Sequence, residues 1–393
     1  MSDPWVSIVG MPDDSLSALP PASRAAIDAA EVIFGGPRHL ELVGAGDRGQ
    51  AWPVPFSVEP VLAARGKRVV VLASGDPFWF GAGGSLTTVL EMGEWQAFPA
   101  PSTFSLVAAA LGWRLEEVTC HGLHAAHFAQ LRPVLSPEGR MICLVRDGAA
   151  PAELAAWLVT QDAGKARLIV CENMGGARQR IRETTANGFD LKGVAAPVAV
   201  AVSLPRHVGH TVASGLSDEI FASDGQMTKR PVRALTLSTL APRRGELLWD
   251  IGAGSGSISV EWCLAGGRAL AFEQHASRVA NITANAESFG MGHRMEVRHG
   301  DAAVMIPNAP LPDAVFIGGG ATQVLLDQLY AVLPGGTRLV ANGVTLETEA
   351  LLALAHQERG GDLLRIELAQ AAPLGGMRGW QPARPVVQWS VVL

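Results

Sequence analysis

The sequence predicts an α/β protein built from two successive modules, and three features carry that expectation. Strand-like and helix-like apolar patterns alternate through the first half of the 393 residues, as they do where sheets are covered on both faces by helices. Residues 247–262, LLWDIGAGSGSISVEW, read as strand, glycine turn and helix. Between these regions, after Leu204, the apolar pattern weakens over PRHVGHTVASGLSDEIFASDGQMTKRP, and a prior of ~150 residues per domain already argues for two or three domains. The expected boundaries are 1–205 for the first module, 206–226 for a linker and 227–393 for the second.

Composition narrows the function classes. With 48% hydrophobic and 17% charged residues the chain can bury a large core. A net charge of -6 with no lysine and arginine block argues against a nucleic-acid binder held by bulk electrostatics. Cys120, Cys143, Cys171 and Cys263 are scattered through apolar stretches without a C-x-x-C pair, so they read as reduced core residues of a cytoplasmic protein rather than metal ligands or disulfides. No basic and apolar leader and no apolar run of membrane length is seen, so a soluble protein without membrane attachment is expected.

Residues 5–10, WVSIVG, make a short apolar run suited to a buried parallel strand, and Ala25, Ala26, Ile27, Ala29 and Ala30 mark a following helix. The clearest later strands are 68–73, 140–145, 166–171 and 198–204, separated by helices over 86–92, 104–111 and 152–159. The informative stretch is VVVLASGDPFWFGAGGSL, in which a strand at 69–72 runs into Ser74-Gly75-Asp76-Pro77, with Gly81, Gly83 and Gly84 ahead of a helix. Open α/β sheets bind ligands at such strand ends. Gly-Asp-Pro also occurs as an ordinary type I turn. Asp76 is therefore either a turn-stabilising aspartate bonded to nearby backbone N–H groups or a catalytic, substrate-facing carboxylate. His39 and His121 are candidate general bases, but lone histidines are more often packed or solvated, and neither enters the expected site.

In the second half, Leu247, Leu248, Trp249 and Ile251 make a short buried strand carrying Asp250 near its carboxyl end, followed by Gly252, Ala253, Gly254, Ser255 and Gly256. Glycines let backbone pass close to a ligand, Ser255 and Ser257 can cap the helix through Ile258, Val260 and Trp262, and its amino end offers free N–H groups. The dinucleotide fingerprint G-x-G-x-x-G does not fit, because the third glycine comes one residue early and Ser257 holds its place. Glu273 ends the apolar run 268–272, about 20 residues beyond the glycines, where an acid can hold two ribose hydroxyls. Gly300-Asp301-Ala302 closes the next strand-like run, 295–299.

The pattern D-x-G-x-G-x-G, with Glu273 and Gly300-Asp301-Ala302 in order behind it, resembles the motifs of the S-adenosylmethionine-dependent methyltransferases with a Rossmann-like class I fold. The resemblance implies S-adenosyl-L-methionine as cofactor, bound by Gly252, Ala253, Gly254, Ser255, Gly256 and Glu273, with Asp301 and Ala302 bracketing the adenine. QMTKRPVR at 226–233 resembles the leading motif of the decarboxylating precorrin methylases that act on carbon 15, which implies a donor contact at Thr228; Pro231 departs from the acid usual in its place. PDAVFIGGGATQVLLDQLYAVLPGG at 312–336 adds that family's strand ending in Gly318, Gly319 and Gly320, and lacks the Asn-Pro-Pro-aromatic segment of nucleic-acid amino-group methylases. Asn342, after the next strand, is expected to face the pocket. Residues 363–370, the loop APLGGMRGWQPARP and residues 386–393 fit two terminal strands joined by an excursion, one strand antiparallel to the rest as that fold requires. Arg378 and Arg384 in the loop are either solvated charges or contacts for a polycarboxylate.

The first half resembles the tetrapyrrole methylases, in the branch that methylates carbon 5 of the corrin precursor. The matching stretches are VSIVGM at 6–11, AAEVIFGGPRHL at 29–40, LASGDPFWFGAG at 72–83, PAPSTFSLVAAALGW at 99–113 and CENMGGARQRI at 171–181. In that family the donor lies folded between two α/β lobes against the Gly-Asp-Pro turn, which implies Gly75, Pro77, Ser102 and Met174 as donor contacts and Asp76 beside them. The first loop, Gly10-Met11-Pro12-Asp13-Asp14, carries less glycine than the family usually has there.

Taken together, the resemblances imply a two-lobed tetrapyrrole methylase fold joined to a Rossmann-like methyltransferase fold. The implied reaction is methylation of a precorrin at carbons 5 and 15 with loss of carbon dioxide from the acetate on carbon 12, in cobalamin biosynthesis. The expected partners are the tetrapyrrole and further copies of the chain in a homo-oligomer, with no nucleic acid. A substrate with several carboxylates calls for local positive charge at the pocket mouth of an acidic protein, and Lys229 and Arg233, four apart and on one face if their segment is helical, are expected to supply it as catalytic residues, the alternative being solvated helix charges. The conjugated macrocycle is a sufficient electron sink for decarboxylation, so no metal or further cofactor is expected. Two alternatives stay open: a methyltransferase for another small molecule whose first half is only a binding lobe, and a non-catalytic tetrapyrrole carrier.

Overall fold

The computed structural model of the chain describes residues 4–12, 16, 19–209 and 211–393. Contacts divide it into one unit of Met1–Phe128 with Val134–Val208 and a second of Ala129–Pro133 with Gly209–Leu393.

The first unit holds two five-stranded sheets. In one, β1 (Val6–Met11), β2 (Val32–Gly35), β3 (Gly49–Ala51), β4 (Val69–Ser74) and β5 (Trp95–Phe98) run parallel in the order β3-β2-β4-β1-β5. Every residue of β1 and β2 is buried, which is why these strands read as unbroken apolar runs without alternation. The other sheet joins β6 (Val118–Leu123), β7 (Arg140–Val145), β8 (Arg167–Glu172), β9 (Arg180–Thr185) and β10 (Val198–Ser203) in the order β6-β7-β10-β8-β9, parallel only between β6 and β7. The Thr103–Leu111 helix packs Phe104, Val107 and Ala108 against Ile142, Ile169, Ala199 and Ala201 of this sheet. β9, RIRETT, is a mostly exposed edge strand with no apolar alternation to announce it. The helix expected at 86–92 lies instead at Ala82–Leu86. There the Thr87 and Thr88 hydroxyls donate back to the carbonyls of Gly84 and Ser85, a local alternative to continuing the helix.

The second unit is built on a seven-stranded sheet. Its strands are β11 (Leu247–Ile251), β12 (Arg268–Glu273), β13 (Met295–His299), β14 (Ala314–Ile317), β15 (Arg338–Gly343) and β16 (Asp362–Ile366); after β17 (Ala369–Leu374) and β18 (Met377–Pro382) comes β19 (Val386–Val392). The order is β13-β12-β11-β14-β15-β19-β16, and β19 alone runs antiparallel to the other strands of the sheet. β17 and β18 pair only with each other, so the loop expected after residue 370 is itself a hairpin, bearing exposed Leu374, Met377 and Trp380. One face of the sheet is covered by a cluster around Trp262 and Phe289, the other by a cluster around Trp249, Phe272 and Trp389. Part of the stretch expected as linker is core. Leu216 and Phe221 are buried in the second unit, and the N–H groups of Gly215 and Leu216 donate to Glu261.

No helix among the described residues is long and apolar enough to cross a membrane. Cys143, Cys171 and Cys263 are buried and free. Burial pushes the thiols of Cys171 and Cys263 up to about 12 and that of half-buried Cys120 to about 11, so none is a ready thiolate.

Candidate functional site

In the second unit β11 delivers Asp250 and Ile251 to the sheet edge, and the chain then turns through Gly252, Gly254 and Gly256 at φ of +69°, +61° and +72°. This is the left-handed region that glycine tolerates. A Cβ on Gly252 would lie 2.8 Å from the Gly319 carbonyl oxygen, and one on Gly254 would lie 2.9 Å from that of Gln226. The Ser257–Leu264 helix begins with Gly256 at the capping position and no side-chain cap, so the caps expected from Ser255 and Ser257 do not form. The Ser255 hydroxyl is instead buried without a partner among the described residues.

Glu273, at the end of β12 and 3% exposed, accepts the Gly254 N–H on Oε2 at 2.9 Å and the His275 N–H on Oε1 at 2.9 Å. It ties the strand end to the glycine turn, and each carboxylate oxygen has a second lone pair to offer. Asp250, 1% exposed, accepts the Ser259 hydroxyl on Oδ2 at 2.6 Å, while Oδ1 is buried without a partner among the described residues. Burial pushes its carboxyl up to about 6, with the Ser259 hydrogen bonds opposing and the charge of Glu273 adding to the rise. Asp301 caps the Ala302–Met305 helix through the Ala303 N–H at 2.9 Å. The glycine turn, Glu273, Asp301 and Gly318 stand at or just past the carboxyl ends of β11, β12, β13 and β14, which are adjacent strands, so they share one sheet edge at the point where strand order reverses. Asp250 Oδ1 and Ser255 Oγ are thus two buried polar atoms at this strand end that lack partners among the described residues.

Arg233 does not stand at a pocket mouth. Its side chain is 0% exposed. Nε donates to Glu261 Oε1 at 2.6 Å, Nη1 to Asp218 Oδ1 at 2.9 Å and to the Thr228 carbonyl at 2.6 Å, and Nη2 to the Leu216 carbonyl. The guanidinium carbon lies 4.9 Å from the centre of the Phe221 ring. This corrects the expectation of a substrate-facing cation: Arg233 is a positioning residue that holds the segment carrying half-buried Thr228. Lys229 is exposed, but it is the extended residue before the Arg230–Leu240 helix and so does not share a helix face with Arg233. Pro231 sits in the helix's first turn, where a missing N–H costs nothing, and Asp218 Oδ1 accepts the Arg230 N–H at 3.0 Å. Asn342 is likewise committed to the interior, donating to Thr236 Oγ1 at 3.0 Å and accepting from Gln388 Nε2 at 2.9 Å. Arg378 and Arg384 are exposed.

Two residues that shape this site escaped the sequence reading. Asn285 bridges the glycine turn to the preceding segment, donating to the carbonyls of Ser255 at 2.8 Å and Ala222 at 2.9 Å. Glu261 was visible in principle, since an acid inside the apolar helix SISVEWCL must find a buried partner.

In the first unit the strand ends are sewn together around Gly75. Its φ is +58°, and a Cβ there would lie 2.8 Å from Ser102 Cα. Asp76 Oδ1 accepts the Phe78 N–H at 2.9 Å, the bond of a turn-stabilising aspartate. Pro77 is buried, and its carbonyl accepts the Gly83 N–H at 3.0 Å. Ser102 caps the Thr103–Leu111 helix by accepting the Ser105 N–H at 3.1 Å. Gly75, Pro101 and buried Met174 line a cavity of ≈ 130 Å³ together with Met11 and Pro12 of the first loop; Asp13 and Asp14 of that loop lie outside the described residues. Beside it opens a larger cleft of ≈ 470 Å³ with aromatic walls from Trp52, Phe56, Trp79 and Phe80. Ser74, Thr103, His124 and Leu144 line both chambers. His39, passed over in the sequence, borders the larger chamber with Nε2 3.3 Å from Ser74 Oγ and 3.3 Å from Arg38 Nη2. Burial lowers the proton affinity of His121.

Comparison with known proteins agrees with this division. The family described as Tetrapyrrole (Corrin/Porphyrin) Methylases matches residues 6–190, and the Precorrin methyltransferase domain matches residues 219–393. A precorrin-6Y C(5,15)-methyltransferase (decarboxylating) of Sinorhizobium sp is 44% identical over 398 residues, covering 98% of this chain and 96% of that one. One of Mycobacterium tuberculosis (strain CDC 1551 / Oshkosh) is 38% identical over 392 residues, covering 98% and 99%. The crystal structure of the C-terminal domain of precorrin-6Y C5,15-methyltransferase from Rhodobacter capsulatus aligns at 56% identity with a TM-score of 0.46, covering 47% of this chain and 100% of that one. The chain belongs to the precorrin-6Y C(5,15)-methyltransferase (decarboxylating) family, as a methyltransferase in which a tetrapyrrole methylase domain precedes a precorrin methyltransferase domain.

Proposed function

We propose that this chain methylates precorrin-6Y at carbons 5 and 15 and removes carbon dioxide from the carbon-12 acetate, with S-adenosylmethionine as donor at two sites. The carbon-5 reaction belongs to the first unit, read as domain 1–205, and the carbon-15 reaction with decarboxylation to the second, read as domain 227–393. The observation that carries this reading is that one chain holds two separate glycine-bearing strand ends of the kind that α/β sheets use to bind ligands. One is a two-chambered cleft at Gly75, and the other is a glycine turn beside Asp250 Oδ1 and Ser255 Oγ, which are buried without partners among the described residues. The named substrate of the relatives supplies the tetrapyrrole.

The donor's sulfonium makes its methyl group electrophilic, and enamine-like carbons of the macrocycle are nucleophilic, so the protein's task is alignment, exclusion of water and proton handling. In the second unit Glu273 holds the ribose, Gly252, Ala253, Gly254 and Gly256 pass beneath the donor, Asp301 and Ala302 flank the adenine, and Thr228 closes over it. In the first, Gly75, Pro77, Ser102 and Met174 cradle the donor while Asp76 keeps the turn in shape. Lys229, exposed ahead of its helix, is the cation for a substrate carboxylate. Buried reduced thiols fit a cytoplasmic setting. Incubating the purified chain with precorrin-6Y and methyl-labelled donor tests the whole reading by mass spectrometry. Gain of two labelled methyl groups and loss of one carbon dioxide is the expected product. Tight binding of the tetrapyrrole with no donor turnover would leave only a carrier.

A further inference from the structure

Replacing a hydrogen on carbon by a methyl group from a sulfonium releases a proton, and the carbon-5 reaction assigned above to the first unit must put that proton somewhere. The cleft has two chambers, and only residues lining both can stand where donor and macrocycle meet. Of these, Ser74 is tied to a base. Its Oγ lies 3.3 Å from His39 Nε2, and His39 is 7% exposed. Arg38 Nη2 lies 3.3 Å from the same nitrogen. A guanidinium can only donate, so Nε2 presents its lone pair and the ring proton sits on Nδ1. Ser74 therefore donates its hydroxyl hydrogen to Nε2, as a serine does toward a general base. The arrangement follows from the sheet: β2 and β4 are neighbours, so Ser74 at the end of β4 lies beside the Pro37–Leu42 helix that follows β2.

We infer that Ser74 and His39 form the proton relay for carbon-5 methylation, with Arg38 positioning the imidazole. Carbon 5 attacks the donor methyl. The new carbon–carbon bond forms as the sulfur–methyl bond breaks, and its electron pair returns to sulfur. Carbon 5 then carries hydrogen and methyl together, conjugation through it is interrupted, and the macrocycle bears one positive charge. Ser74 Oγ takes the hydrogen as a proton while its own moves to His39 Nε2. The carbon–hydrogen pair restores the conjugated system, and the imidazolium passes its proton on to water.

The relay rests on the carbon-5 assignment of the first unit, and one experiment separates the two. The full-length chain, its Ser74→Ala and its His39→Ala variants are given precorrin-6Y, unlabelled or deuterated at carbon 5, with S-adenosylmethionine. The variants are expected to lose about 10²–10⁴-fold in the rate at which the conjugated carbon-5-methylated product forms, to gain a primary deuterium isotope effect on that step and to accumulate a methylated species with broken conjugation in the visible spectrum. Carbon-15 methylation by the same molecules continues, which reports an intact chain, and added imidazole restores rate to His39→Ala. Formation of the conjugated carbon-5-methylated product by both variants within threefold of the parent, without an isotope effect, overturns the relay alone. A parent chain that methylates carbon 15 but never carbon 5 overturns the assignment of the cleft, and the relay with it.

Discussion

Arg233 Nε donates to Glu261 Oε1 at 2.6 Å, and the two side chains are 0% and 4% exposed. A buried pair of this kind stabilises a fold only while every partner is in place. Arg233→Ala is expected to destabilise the second unit by about 3–5 kcal/mol. Arg233→Lys should recover little, since one ammonium cannot reach Glu261, Asp218, Thr228 and Leu216 together. Denaturant unfolding read by hydrogen exchange in the second unit checks this, and a loss under about 1 kcal/mol would place Arg233 among ordinary surface charges.

Glu273 braces the glycine turn and offers lone pairs toward the ligand edge. Glu273→Ala is expected to weaken donor binding in the second unit by on the order of 1.5–3 kcal/mol through loss of charge-assisted bonds, while carbon-5 methylation proceeds. Calorimetric titration of the full chain should show one S-adenosylmethionine site weakened and one unchanged. Two unchanged sites would move the ribose contact elsewhere.

Asp250 sets a pH dependence. Its carboxyl is raised from 3.8 to about 6 by burial, so the folded chain keeps the proton after the unfolded chain has released it. Stability is accordingly highest below the unfolded value and falls as pH climbs through this window, by about 1.4 kcal/mol per pH unit. Asp250→Asn should match the parent at the acid end, exceed its stability at neutral pH and bind the cationic donor less well. Thermal unfolding at both ends of the window, with donor titration at neutral pH, decides it; a parallel pH profile in the variant would assign the fall to other groups.

Gly252 meets both a left-handed φ of +69° and the Gly319 carbonyl oxygen, 2.8 Å from where a Cβ would stand. Gly252→Ala should cost roughly 1–3 kcal/mol and reduce donor affinity, because backbone must move at the turn. Gly84→Ala, with open space around its Cβ and φ outside that region, should be neutral or slightly stabilising by comparison. Equal unfolding midpoints for the two variants would show that the turn yields without strain.

The glycine turn of the second unit was legible because everything that makes it is local. A buried strand of five residues, three glycines and a helix start lie within residues 247–262, and backbone sterics translate that order directly into a bend. The buried parallel strands β1 and β4 were legible for the same reason. Ser255 and Ser257 looked like caps because they stand at the right spacing, yet the left-handed Gly256 took the capping position.

What the sequence determined by itself was the alternation of strands and helices, the two glycine-bearing strand ends and, through matching motifs, the family of each half. Tertiary structure decided the roles of charged and polar side chains. Arg233 reads as a surface cation because arginine is seldom buried; its fate was set by Glu261 and Asp218, 28 and 15 residues away in the chain. His39 and Ser74 are 35 residues apart and meet only because β2 and β4 pair in the sheet. Backbone conformation is governed mostly by neighbours in sequence, whereas a buried charge or a base takes its chemistry from neighbours in space, which strand order alone supplies.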